Sequence, residues 1–255
     1  MIRPNRRGAA GAHQKTGRMT EGEFSSEEGP QIRMRAGAAQ GTPRAVVAIC
    51  HRLISHSGQY GWPAARLAAQ SIATCALDLR GRGQSEGGAG LRRVHRADVR
   101  RPVEIARERQ PELVFFLPEH SAGDVVACTF ALDRQDEIDG LICESFAFQV
   151  PAPGFVLPAI KAISHLSPKL GGLTLKMKDF TRDPDALAAR EADPLTKGET
   201  QPASSFAALV RADEWRHGSF GQITLPLLIR RGIDDRATVC RGSAYFHAHT
   251  HAGSA

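Results

Sequence analysis

Five short, almost wholly apolar runs constrain this chain more than any other feature: Ala45–Cys50, Ile72–Leu77, Leu113–Leu117, Gly140–Cys143 and Leu225–Ile229. A strand that is apolar at nearly every position, rather than at every second one, is buried on both faces. That is the condition of a parallel sheet covered by helices. Helical patterns lie between the runs. Residues 61–70 are alanine-rich, and residues 122–132 form another candidate helix. Over 94–109 the apolar positions Val94, Ala97, Val99, Val103, Ile105 and Ala106 recur at helical spacing, and Pro102 is expected to kink or restart that helix. Strand and helix alternate, so the fold class is α/β, with a mostly parallel central sheet flanked by helices.

The alternation breaks over about 147–205, where Pro151, Pro153, Pro158, Pro168, Pro184, Pro194 and Pro202 punctuate apolar residues. This stretch reads as an inserted helical lid, the alternative being a long irregular connection, which is uncommon in a compact domain. Residues 1–30 read as a disordered basic and polar leader, so the folded domain is expected to span 31–255.

The formal charge of +6 is partly local: Arg3, Arg6, Arg7, Lys15 and Arg18 stand together with no acid among them. No aromatic residue interleaves them, so a solvated tail is expected rather than a nucleic-acid-binding arm. No run of 18 apolar residues occurs, so no integral membrane segment is expected, while transient contact with a membrane surface stays open. The five cysteines form no Cys-x-x-Cys pair, which points to a reducing, cytoplasmic setting without a metal site.

The residues with most chemistry follow the third run. In Glu119-His120-Ser121-Ala122-Gly123-Asp124 a serine stands between a strand and a helix. A serine on so sharp a turn presents its hydroxyl above the sheet, and the next amide can bind an oxyanion. The competing reading is an ordinary serine capping the helix. Two further segments follow the first two runs: His51-Arg52-Leu53-Ile54-Ser55-His56 and Asp78-x-x-Gly81-x-Gly83-x-Ser85. Asp78 reads as structural, a carboxylate for the amides of its glycine-rich turn.

In this order the three segments resemble the monoacylglycerol lipase and lysophospholipase branch (serine aminopeptidase type) of the α/β-hydrolases. The resemblance extends over about residues 31 to 245. That branch carries His-Gly-x-x-x-His, then Asp-x-x-Gly-x-Gly-x-Ser, then Gly-His-Ser-x-Gly-Gly. It implies a serine carboxylic-ester hydrolase acting on monoacylglycerols, lysophospholipids or similar small acyl esters, without metal or organic cofactor. Ser121 would be the nucleophile, and the amides of Leu53 and Ala122 would form the oxyanion hole. Asp235 would be the acid, with Asp234 as runner-up, in Gly232-Ile233-Asp234-Asp235.

Arg52, Glu119 and Asp124 each stand where the branch has glycine, and each is expected to crowd the turn or the loop beside it. The triad also needs a histidine. The chain ends at Ala255, 20 residues after Asp235, so the last strand and helix of the fold, with the loop that would carry that histidine, are expected to be missing. His247, His249 and His251 alternate as they would along one face of a strand, an arrangement able to hold a metal, although a terminal polar tail is the expected reading. No triad histidine is identified; His249 stands as a candidate. These departures favour a second reading, a catalytically impaired hydrolase-fold protein.

Overall fold

The computed structural model describes residues 19–25, 29–87, 96–146, 171–173, 181–199, 201–202, 207, 210, 218–235 and 238–251. The apolar runs become strands β3 (Ala45–Cys50), β4 (Ile72–Leu77), β5 (Val114–His120), β6 (Gly140–Glu144) and β9 (Leu227–Arg230). All pair in parallel, β3 lying between β4 and β5, with β6 and then β9 beyond β5. The helical patterns become α1 (Gly61–Ala68), α2 (Arg96–Arg109) and α3 (Ala122–Arg134). Helix α2 runs unbroken through Pro102, so the expected restart does not occur.

Two strands of this sheet went unread in the sequence. β2 (Gln31–Gly37) pairs antiparallel with β4, and β1 (Thr20–Ser25) pairs antiparallel with β2. The sheet order is therefore β1-β2-β4-β3-β5-β6-β9. Strand β1 lies inside the stretch expected to be a disordered leader; its ladder with β2, Phe24 packed against the core and charge pairs across the two strands hold it there. Arg33 of β2 pairs with Glu21 and Glu23, and Arg35 reaches Glu21 at 3.1 Å. The remainder of that stretch, residues 1–18 and 26–28, lies outside the described residues.

Phe115, Leu117, Val126, Phe130, Val99 and Val103 join one large core under α2 and α3. Val47, Ile49, Ala76 and Phe116 form a smaller core with Leu67 of α1 on the opposite face. Helix α5 (Cys240–His249) docks through Phe246, whose ring stacks on Phe146 at 4.1 Å and meets Phe220 edge-on at 4.7 Å.

Most of the expected lid over 147–205 lies outside the described residues. Described within it are β7 (Gly171–Leu173), β8 (Gln201–Pro202), which pair antiparallel, and α4 (Pro184–Ala192), capped by the Asp183 side chain. Among the described residues, no helix is long and apolar enough to cross a membrane.

Candidate active site

Strand order reverses on either side of β3, and in parallel sheets such a switch opens a crevice at the carboxyl ends of the strands. The loop 51–58 leaves β3 there, and the turn from β5 into α3 lies beside it, because Cys50 and Glu119 are partners in register.

Ser121 occupies that turn with φ 57° and ψ −112°, a region unfavourable for a residue with a Cβ. An N-cap residue has extended backbone and accepts a hydrogen bond on its side chain. Ser121 has neither, since its hydroxyl makes no cap hydrogen bond. Its amide instead donates to the Glu144 carbonyl at 3.0 Å, and its carbonyl accepts from Asp124 N–H at 3.0 Å. The backbone makes a sharp elbow between strand and helix rather than an ordinary helix cap. Gly123 explains why the second position after the serine is small: a Cβ there would lie 2.7 Å from the Cys50 carbonyl oxygen and 3.0 Å from that of His51.

The loop carrying Leu53 is fixed at several points. The Leu79 amide donates to His51 Nε2 at 2.9 Å, so the other ring nitrogen, Nδ1, carries the proton and donates to the Arg52 carbonyl at 2.7 Å. Ser57 donates through both its amide and its hydroxyl to Asp78 Oδ1. Between these anchors Ile54 adopts φ 49°, a strained conformation for a β-branched residue that no sequence signal announces.

Burial lowers the His51 pKa from 6.5 to about 3, against the opposing pull of Asp78. The unfolded chain therefore binds the proton first. The stabilisation from a neutral His51 is complete above about pH 6.5 and is lost as pH falls toward about 3. Between pH 7.5 and pH 5 this site should remove about 2 kcal/mol of stability. Urea unfolding of wild type and His51→Gln at both pH values measures it, and an equal pH slope in the two proteins would refute the assignment.

Asp235 lies in the turn after β9. Its Oδ2 accepts from the Thr238 hydroxyl at 2.7 Å and its Oδ1 from the Thr238 amide at 3.2 Å. Its carboxylate also acts on the imidazole of His120, beside Ser121. Burial brings the His120 pKa down to about 4 and Asp235 resists that fall. Asp234 is exposed and pairs with Arg182. Of the two aspartates the fold thus brings Asp235 toward the elbow.

Three family glycines are replaced by buried charged residues: Arg52, Glu119 and Asp124 are 6%, 2% and 0% exposed. Glu119 continues the stripe of Phe115 and Leu117, so it points to the α3 side of the sheet. There the Cys143 thiol donates to its Oε1 at 3.2 Å. Burial, with Glu119 and Asp124 adding to it, pushes the Cys143 thiol well above its ordinary range. Ligand-type atoms of Glu119, Asp124 and Cys143 lie within 4.8 Å of one another.

The histidines near the end of the chain do not form the alternating row on a strand that their spacing suggests. They follow or lie in helix α5, where positions two apart diverge by about 200°. His249 donates from Nδ1 to the Tyr245 carbonyl at 2.7 Å and stacks on the Tyr245 ring at 3.7 Å. Among the described residues, no imidazole is hydrogen-bonded to the Ser121 hydroxyl.

The sequence profile of the family described as serine aminopeptidase, S33, matches residues 41–254. A monoacylglycerol lipase of Mycolicibacterium smegmatis is 29% identical over 235 residues, spanning 88% of this chain and 82% of the relative. The crystal structure of a Paleococcus ferrophilus monoacylglycerol lipase superposes with a TM-score of 0.72 at 25% identity, over 92% of this chain and 85% of that one. A monoglyceride lipase from Saccharomyces cerevisiae superposes with a TM-score of 0.78 at 15% identity, over 96% of this chain and 86% of that one.

Proposed function

The chain belongs to the serine aminopeptidase S33 family, in the monoacylglycerol lipase-like branch of the α/β-hydrolase fold, and from that premise we propose that it hydrolyses carboxylic esters through an acyl-enzyme on Ser121. The observation that carries this reading is the backbone of Ser121, held at φ 57° without a capping role. Such strain persists where the surrounding structure over-determines it, typically at functional sites.

In the proposed reaction the Ser121 oxygen attacks the ester carbonyl carbon. The amides of Leu53 and Ala122 receive the developing oxyanion, each contributing about 3 kcal/mol. The alcohol leaves with the serine's proton, and water then releases the acid and restores Ser121. Asp235 is the acid that orients the base. No histidine is assigned as that base, because His249 commits Nδ1 to its own helix. Monoacylglycerols, lysophospholipids and small acyl esters are the substrate class, and the segment 147–205 would line the acyl pocket. The reaction uses no metal or organic cofactor, and a cytoplasmic location, with transient contact at a membrane surface, accords with the free cysteines.

A fluorophosphonate probe should label the wild-type protein and leave Ser121→Ala unlabelled. Labelling that persists in Ser121→Ala, or never occurs in wild type, removes the proposal.

The buried charges at the three glycine positions favour a second reading, an impaired hydrolase-fold protein that binds an ester and turns it over slowly. Oxyanion and binding contributions would survive loss of a base. A kcat for p-nitrophenyl butyrate within the ordinary enzyme range of about 1–10³ s⁻¹ would sink it.

A further inference from the structure

The loop that carries Leu53 has an anchor outside the core of the sheet. Asp193 lies at the end of α4, in the segment inserted between β6 and β9, and its two carboxylate oxygens divide their work. Oδ1 accepts from the Leu195 amide at 3.0 Å, closing its own turn. Oδ2 reaches across the chain, accepting from His56 Nε2–H at 2.8 Å and Gln59 Nε2–H at 2.9 Å. The second imidazole nitrogen of His56 accepts from the Gly58 amide at 3.1 Å, which settles its tautomer. Gly58 is small because a Cβ there would lie 2.7 Å from His56 Cε1. Ser55, in turn, donates to Gln59 Oε1 at 3.0 Å. His56 and Gln59 thus converge on one oxygen of Asp193, with Ser55 and Gly58 bonded to those two side chains.

Leu53 and Ile54 stand between this assembly and the His51 anchor. The left-handed backbone of Ile54 is strained for a β-branched residue and needs its surroundings to hold it. The other anchors, Leu79 to His51 and Ser57 to Asp78, belong to the sheet and its loops. Asp193 belongs to the insertion, and an Arg82–Glu199 ion pair ties the same segment to the core a second time. Burial works to raise the Asp193 pKa, yet the hydrogen bonds from Gln59 and His56 outweigh it and hold the carboxyl below its ordinary value. Asp193 is therefore ionised at neutral pH.

We propose that Asp193 is a positioning residue for the oxyanion hole: through His56 and Gln59 it couples the inserted segment to the backbone that presents the Leu53 amide. The proposal rests on the reading of Leu53 as an oxyanion donor.

The test compares the full-length wild type with Asp193→Asn, His56→Gln and their double variant, by amide hydrogen exchange, fluorophosphonate labelling rate and melting temperature. Exchange over 51–60 should rise at least tenfold in each single variant while strands 45–50 and 72–77 stay protected. The labelling rate should fall about tenfold, less than the roughly 100-fold or more of a deleted oxyanion donor. The double variant should be no worse than either single one. Unchanged exchange over 51–60, or a rise spread evenly over the chain, overturns the proposal. So does faster loop exchange with undiminished labelling. If wild type takes no label, the hydrolase reading fails, and oxyanion positioning falls with it, while exchange over 51–60 still shows whether Asp193 anchors the loop. Should Asp193→Asn not fold, Gln59→Leu removes one of the two bonds and must move the same readouts in the same direction.

Discussion

Asp78→Ala is expected to lose about 3–5 kcal/mol of unfolding free energy, enough to remove much of the stability of a typical domain. The carboxylate is fully buried, and three donors depend on it: the Ser57 amide at 2.6 Å, the Ser57 hydroxyl at 2.5 Å and the Gln84 amide at 2.9 Å. Arg35 stands 3.7 Å away. Removing the acceptor leaves the Ser57 and Gln84 donors unpaired and takes one of two carboxylates from Arg35, which keeps Glu21, and each unsatisfied donor carries its full desolvation cost. Gly83, at φ 53°, passes so close to Asp78 that a Cβ there would overlap the carboxylate. The turn has been shaped around this side chain. Asp78→Asn should cost less, about 1–3 kcal/mol, because one amide oxygen can still accept from Ser57 while the amide nitrogen faces the Gln84 donor. Urea titration at pH 7.5 checks both. Near-equal midpoints for wild type and Asp78→Ala would show that water can replace the carboxylate.

The second large effect is expected at Gly123. Gly123→Ala places a methyl group against two backbone carbonyls, which cannot swing aside as a side chain does. Either the first turn of α3 or the end of β3 must move. We expect a loss of about 2–3 kcal/mol, together with a roughly 100-fold slower fluorophosphonate reaction, because the displaced turn carries Ser121 and the Ala122 amide. The same substitution at Gly218, where a Cβ would meet nothing within 4 Å, should leave both quantities near wild type. Equal behaviour of the two variants would refute close packing as the reason for glycine at 123.

The outcome at Ser121 shows how far local pattern reaches. Strand, sharp turn and helix were legible because β5 and α3 announce themselves by apolar periodicity within a few residues of the serine. That Ser121 would not cap the helix was not legible, since it turns on one backbone dihedral. Asp234 and Asp235 show the same division. Their turn was readable from composition, but only the course of the chain after β9 sends Asp234 to Arg182 and brings Asp235 toward His120. The row of histidines at 247, 249 and 251 misled for a physical reason. Alternation signals a strand only when apolar burial supports it, and here Phe246 packs a helix against Phe146 and Phe220 instead.

What the sequence determined by itself is the set of parallel strands, the helices between them and the places of the turns that carry Ser121 and Asp235. All of these follow from side-chain periodicity and turn chemistry within a dozen residues. The tertiary structure decided the rest. Strand β1 joins the sheet through its ladder with β2, where Glu21 and Glu23 meet Arg33 and Arg35 and Phe24 packs against the core. Glu119 is accommodated beside Cys143 on the α3 face. Asp193 meets His56 only after the chain has closed over a separation of 137 positions. Such contacts depend on which distant groups the fold leaves a buried charge to find, and no local pattern carries that information.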